Sequence, residues 1–449
     1  MPVERQGQML TIAFGNATGG MNTAVPSTLL ADNEVQWLEN YEYDYNLLRT
    51  RGGLSEPIVT LDEDINNFFY DAINGAFLIY TTLRHIYYVK GETTSMVGVL
   101  NGDEDAVTCK FGNEFYIASG DKLQVFDGEE ISTIESSYLC DNVFERSGRL
   151  VTTHKGDDNL YFSSVGDAKS EVAWIENSND DSTAKWVEIG YKDDGDIITC
   201  KPLAQDLLIF KTNGRIYSLS GDFPSWVVQQ VGERSMAEDR LKSIEVVGDS
   251  VAFITRAGVR DVSTVQSYGN FQLGEVGYKI NNTLAQHVFE PTCWNIITKR
   301  QLIIAPNRMD MSTLFVYQYN MQAGYILSFP YPIVDMADTL TGVVVACGKS
   351  LHRWGFDYKT DNGIIIQSRL KSRAVQTVNK FFTRKWDIDI SGGEDAAVLF
   401  SCGKQSWVFK VKDRRKVKHL YDTLDTLVLE INSHHAHTIN NVMLYSLAE

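Results

Sequence analysis

The chain has 449 residues, 43% of them hydrophobic and 11% aromatic, which is ample for a large core and unlike a disordered polymer. Its 41 Lys and Arg stand against 58 Asp and Glu, a net charge of −17; that excludes general affinity for nucleic acid, which needs cations to displace counterions, though not a surface past which DNA slides without sticking. The six cysteines (109, 140, 200, 293, 347, 402) form no CxxC pair, so no zinc, redox or disulfide framework is implied and folding in a reducing cytoplasm is expected. The opening MPVERQGQML has no apolar signal core, and no apolar run approaches bilayer length.

Residues 1–55 read as an arm. Gly19-Gly20 and Pro26 break local structure. Ala31-Asp32-Asn33-Glu34 predicts the cap of a single helical turn carrying Val35 and Leu38. Leu47, Leu48, Arg49 and Arg51 form an extended segment running into Gly52-Gly53, and the two arginines flanking Thr50 share one side of it.

From residue 56 a unit repeats, and its clearest copy is DLLIFKTNGRIYSLSG, Asp206–Gly221. Leu207 to Phe210 is apolar on both faces, so it predicts a strand buried between layers. Asn213-Gly214 between two β-prone runs predicts a type I′ hairpin. The unit recurs as FLIYT with HIYYVKG, FYIASGDKLQVFDG, LYFSSVGD with VAWI, VAFITRAGVRDVS, LIIAP with LFVYQY, and VVVACGKSLHRWGFD. Anchors at Ile79, Ile117, Phe162, Phe210, Ile254, Ile304 and Val345 are spaced 38, 45, 48, 44, 50 and 41 residues apart. A period of about 40–50 residues with several strands in each marks propeller blades. The expectation is an all-β chain built on a β-propeller of about seven blades over 56–370, with a β-sandwich as the alternative.

Residues 371–449 form a C-terminal β-rich region, read either as ring closure or as a docking domain. Between Lys371 and His419 twelve basic residues face five acidic ones, +7, which leaves −24 for the rest of the chain. Trp407 to His419 alternates apolar and basic residues around Asp413-Arg414-Arg415, predicting a hairpin with one basic face. That face meets an acidic partner, or it is a sheet edge guarded by lysines.

Several of these stretches together carry a resemblance. Gly19, Gly20, Asn22, Pro26, Leu29, Glu34, Leu38, Asn40, Leu48, Arg49, Arg51 and Gly53 occur in an order that resembles the opening of the tail hub, nozzle or packaged-DNA-stabilisation proteins of short-tailed bacteriophages. Arg149 with Asn159-Leu-Tyr-Phe-Ser and Trp174, Asp194-Gly-Asp-Ile-Ile leading to Leu207-Leu-Ile-Phe-Lys, and Val251-Ala-Phe-Ile-Thr-Arg resemble later parts of that family. The likeness covers most of 12–370 and rests on the ordered set, because no single motif is diagnostic. It implies a virion tail protein assembled in the host cytoplasm, a ring of six below the portal and adaptor proteins. Such a ring continues the DNA channel and carries a needle, with spikes or fibres attached outside.

The charge then suggests a lumen past which DNA moves without binding, with Asp103, Glu104, Asp105, Asp193, Asp194 and Asp196 on channel-facing loops. Arg49, Arg51, Lys412, Arg414, Arg415, Lys416 and Lys418 are the candidate partner-docking residues, intrachain pairing being the alternative for the first two. No G-x-S-x-G, H-E-x-x-H or P-loop occurs, and no enzymatic activity or cofactor is expected. His434, His435 and His437 read as a polar turn rather than a metal site, and Lys192–Asp196 as a turn rather than a calcium loop. The alternative function is a glycan-binding or glycan-cleaving propeller on a host-facing appendage. Tryptophans clustered over one groove with a carboxylate pair would favour it.

Overall fold

A computed structural model describes residues 9–13, 17–45, 47–238, 240–265, 270–392, 396–402, 405–411 and 416–448. The repeat is a β-propeller. Among the described residues seven four-stranded antiparallel blades follow one another, beginning at Ile65, Val107, Asn142, Ile197, Ile244, Thr292 and Ile333. The seventh holds Ile333–Thr339, Gly342–Cys347 and Ser350–Gly355, and takes its fourth strand, Gly53–Thr60, from before the repeats. The ring is thus closed by pairing the two ends of the propeller, which leaves no unpaired blade edge at the join. That closing strand crosses the boundary between arm and repeats read from the sequence.

Alternation within one strand explains the blade stacking. In Asp206–Lys211, Leu207 and Ile209 pack into the cluster shared with the third blade. Leu208 and Phe210 pack into the one shared with the fifth. Successive side chains point to opposite faces, so a strand between two neighbours needs apolar residues at every position. Similar separate clusters join the first blade to the second, the second to the third, and the seventh to the first.

Three local expectations are corrected. The turn after Phe210 is not type I′: Gly214 takes a positive φ of 81° but Asn213 does not, and the Gly214 N–H bonds to the Lys211 carbonyl. Glycine at one left-handed position suffices for a turn ending in a bulge. Ala31–Glu34 begins no helix; Glu34–Glu39 is a strand, because Val35 and Leu38 reach the core while the backbone pairs with Ser368–Ser372. VAWI (172–175) is not a strand but part of the long connection between Asn159–Phe162 and Lys185–Glu188. The anchor Phe162 accordingly lies on a third strand, whereas the other six lie on second strands.

The C-terminal region does not close the propeller. Val375–Ser391, Ala396–Cys402, Gln405–Val411, Lys416–Ser433 and Thr438–Ala448 join the arm strands Met9–Ala13, Glu34–Glu39, Tyr41–Asp44 and Leu47–Thr50 in a sheet system continuous with the sixth blade. The turn of the expected basic hairpin, 412–415, lies outside the described residues, and among the described residues its two strands are not paired with each other. Gln405–Val411 pairs with Ala396–Cys402, and Lys416–Ser433 pairs with Ala396–Cys402, Val375–Ser391 and Ser368–Ser372. The apolar–basic alternation marks two strands with different partners.

The arm's last turn locks the two bodies together. Arg51 is 2% exposed. Its guanidinium forms a fork on Asp361, with Nη1 to Oδ1 at 2.9 Å, while Nε donates to Asn40 Oδ1 and Nη2 to the Ser328 carbonyl. It also lies 4.0 Å over the Phe329 ring. Gly53 beside it has no room for a side chain, since a Cβ there would sit 2.1 Å from the Thr360 carbonyl oxygen. Removing one member of a buried pair strands the other, at a cost of about 3–5 kcal/mol. Arg51→Met is therefore expected to lower unfolding stability by about that amount, and Arg51→Met/Asp361→Leu by much less than the sum of the singles. Urea denaturation of the four chains checks it; additive losses would contradict the buried pair.

Candidate functional site

In every blade the chain enters the first strand next to the axis, so seven entry loops converge on one face of the propeller. A basin of about 340 Å³ opens there, lined by residues of the second to sixth blades. Asp105 organises it. Asn66 Nδ2 donates to Oδ1 at 2.9 Å, and Arg240 Nη2 donates to Oδ2 at 2.7 Å. Lys242 and Arg308 stand 3.5 and 3.7 Å away, and Glu290 bridges Arg240 and Arg308. Burial alone would raise the Asp105 carboxyl, but Lys242, Arg240, the Asn66 bond and Arg308 outweigh it and hold it at about 2. First, second, fifth and sixth blades are tied across the axis through this one carboxylate.

Two more acids sit nearby. Asp335 accepts from Trp294 Nε1 at 2.8 Å and from the Phe68 N–H at 2.9 Å, linking sixth, seventh and first blades; burial raises its carboxyl. Asp141 is 5% exposed. Its Oδ2 accepts the Lys155 N–H at 2.7 Å, but Oδ1 has no partner. Burial pushes this carboxyl up to about 6, against the Lys155 bond and nearby His154.

The expected acidic residues divide into two groups. Asp103, Glu104, Asp194 and Asp196 are exposed, on entry loops of the second and fourth blades that share the basin's face. Asp105 and Asp193 are half-buried and ion-paired within the chain. Asp105 is spent on the axial cations. Asp193 accepts from Lys211 Nζ at 2.7 Å and from Tyr217 Oη at 2.8 Å, so both its oxygens are engaged inside the fourth blade.

Among the expected docking residues only the two arginines of the arm have described side chains. Arg51 is buried in the clamp, and Arg49 pairs with Asp44 at 2.6 Å while lying 3.9 Å over Phe356. Intrachain packing uses both. Lys412, Arg414 and Arg415 lie outside the described residues. Lys416 and Lys418 lie on Lys416–Ser433 opposite Ile388 and Trp386, their side chains outside the description. Of the histidines, His437 is buried, with Nε2 2.9 Å from the Tyr41 hydroxyl; His434 is exposed and His435 half-buried.

Sequence reasoning missed Asp141, Arg240 and Asp335 as site residues. A signal existed. Asn66, Asp105, Asp141, Asp196 and Asp335 each stand within two residues of the opening of a first strand, a polar mark recurring once in most blades.

No family model matches the chain, and no curated protein matches it. Similar solved structures include BamB from Moraxella catarrhalis, 11% identical over 70% of this chain and 93% of that one, TM-score 0.44. The Cps50 (Swd1) β-propeller domain of Myceliophteria thermophila is 10% identical over 67% and 99%, TM-score 0.47. The Pan2 WD40 domain of Neurospora crassa is 9% identical over 70% and 97%, TM-score 0.43. None of the three is described as a virion protein. At these identities the likeness is one of fold.

The two basin carboxylates respond to acid in opposite senses. Asp105, held at about 2 rather than the ordinary 3.8, contributes roughly 2 kcal/mol that is present above pH ~4 and lost as pH falls through ~2. Asp105→Asn should lower stability at pH 7 by at least that much and remove this part of the acid transition. Asp141, raised from 3.8 to about 6, costs stability as pH rises from ~4 to ~6, so Asp141→Asn should raise stability at pH 7.5 by roughly 3 kcal/mol and change little at pH 3. Denaturant midpoints across pH for both variants measure the two slopes.

Proposed function

We propose that the chain is a structural subunit of the tail nozzle or hub of a short-tailed phage, without enzymatic activity. It would stand in a ring of six between portal or adaptor proteins and the fibre, spike or needle proteins. There it would help retain the packaged genome and pass it at ejection. The observation that carries this reading is where the resembling arm residues fall. Asn22 Nδ2 donates to Glu34 at 2.9 Å, and Glu34 pairs with Lys279 at 3.0 Å. Asn40 and Arg51 form the Asp361 clamp, and Gly53 packs against Thr360. Arg149 and Trp174 fasten the long third-blade connection through the Ser163, Thr183 and Ala168 carbonyls. These groups are spent on stiffening a joint rather than exposed for chemistry, which suits a load-carrying ring subunit.

Mass spectrometry of purified particles, with this chain counted against the portal subunit, tests the reading. Presence at ring stoichiometry supports it, and absence from the particle overturns it. If the basin face borders the DNA path, charge reversal of Asp103, Glu104, Asp194 and Asp196 to lysine should slow ejection severalfold in single-particle measurements. Unchanged ejection would place that face away from DNA.

One cleft favours the glycan reading. On the face opposite the basin, about 350 Å³ is bordered by Arg146, Asp181, Asp222, Phe223 and Trp226. Trp226 packs 4.5 Å from Phe162, and aromatic faces beside carboxylates suit sugar rings. Against it, Trp174, Trp294, Trp354 and Trp386 are buried in the core. Glycan-array binding abolished by Trp226→Ala would favour this second reading.

A further inference from the structure

We propose that the axial basin is a binding site for an organic cation, whose ammonium or guanidinium group seats against Asp141 and Glu104. The inference stands apart from the tail reading and holds whether or not the chain is found in a particle.

The other charges at the bottom of the basin pair with one another, Arg240 Nη1 reaching Glu290 at 3.5 Å without a hydrogen bond. Asp105, Arg240, Glu290 and Arg308 form their own network, as described above. Asp141 is left over. It is 5% exposed, it borders the cavity, and its Oδ1 accepts no hydrogen bond. A buried carboxylate oxygen without a partner is costly, and a ligand that supplies the partner recovers that cost as binding free energy. Glu104 borders the same cavity and is exposed. Lys155 is the opposing charge, exposed at the rim, and its flexible stem allows it to turn to solvent. Burial keeps the Asp141 carboxyl near 6, so it is anionic at neutral pH and ready for a cation.

The chemistry of the walls narrows the class. No cluster of three or more metal-ligating side chains is found among the described residues. Ile197, Ile198 and Leu241 instead give the cavity an apolar side, which suits the alkyl stem of an amine better than a hydrated metal ion. A cavity of about 340 Å³ lies at the lower end of the roughly 300–1,000 Å³ of small-ligand sites. A free polyamine and a lysine or arginine side chain presented by a docked protein share this chemistry.

Calorimetric titration of the full chain distinguishes them. The probes are spermidine and N-acetyl-arginine-N-methylamide, with 1,4-butanediol as the uncharged control, at about 0.15 M salt, where exposed charges more than about 8 Å apart are screened. The expected result is saturable one-site binding of a cationic probe and none of the diol. Asp141→Asn should weaken it at least tenfold and Glu104→Gln at least threefold, whereas Asp194→Asn, outside the basin, should leave it unchanged. Tighter spermidine binding identifies a free amine as the ligand, and tighter binding of the arginine amide identifies a docked side chain. Failure of both probes to bind at millimolar concentration overturns the proposal. So does binding indifferent to Asp141→Asn, or weakened equally by Asp194→Asn. Should Asp141→Asn not fold, Glu104→Gln decides in the same terms.

Discussion

The buried fork of Arg51 on Asp361 is the constraint on which the arrangement of this chain depends. A guanidinium in the interior must have its donors met, and here Asp361, Asn40 and the Gly52 and Ser328 carbonyls meet them. Those partners come from the arm, the sixth blade and the segment following the seventh, so satisfying one side chain fixes three pieces of chain relative to each other. A second ion pair, of the half-buried Lys299 with the buried Glu42, lies close by. Lys299 reaches Glu42 at 2.8 Å and lies 3.5 Å over Trp354, while Glu42 also accepts the Gly52 N–H. Burial depresses the Lys299 ammonium, with Glu42 opposing. Specific polar pairs of this kind allow one register of arm against blade where apolar packing alone would tolerate several.

Around the propeller the binding principle is different. Most blade interfaces are small apolar clusters, each shared by two neighbours. Between the fifth, sixth and seventh blades and the second sheet system, a single larger cluster replaces them. The sixth blade differs because Glu39 pairs with Ile326 and carries its sheet outward into the arm and C-terminal strands. The propeller thereby gains an extension hydrogen-bonded to its sixth blade. At the axis, where apolar packing ends, hydrogen-bonded ions take over. Asp105 and Asp335 bridge blades that do not follow one another in sequence.

The strands were legible because their signals are local. Apolar residues at successive positions in Leu207–Phe210 require two covering layers, and the recurrence of that run set the number of blades. The same locality produced the errors. Phe162 fits the period better than the second strand of its blade, since the connection through Trp174 lengthens that repeat. The Val35–Leu38 spacing fits a helical turn as well as it fits the strand that the structure contains.

By itself, then, the amino-acid order determined the all-β class, the blade repeat, the negative charge and the strand-rich character of the C-terminal region, since each follows from neighbours in sequence. Tertiary structure decided everything that joins distant residues. It paired Gly53–Thr60 with Ser350–Gly355, buried Arg51 against Asp361, set the half-buried Arg49 against Asp44, and spent Asp105 and Asp193 on internal cations. It also left Asp141 Oδ1 without a partner at the axis. Whether a charge is available to a ligand depends on which opposite charge lies within a few ångströms, and that distance is set only when the ring closes.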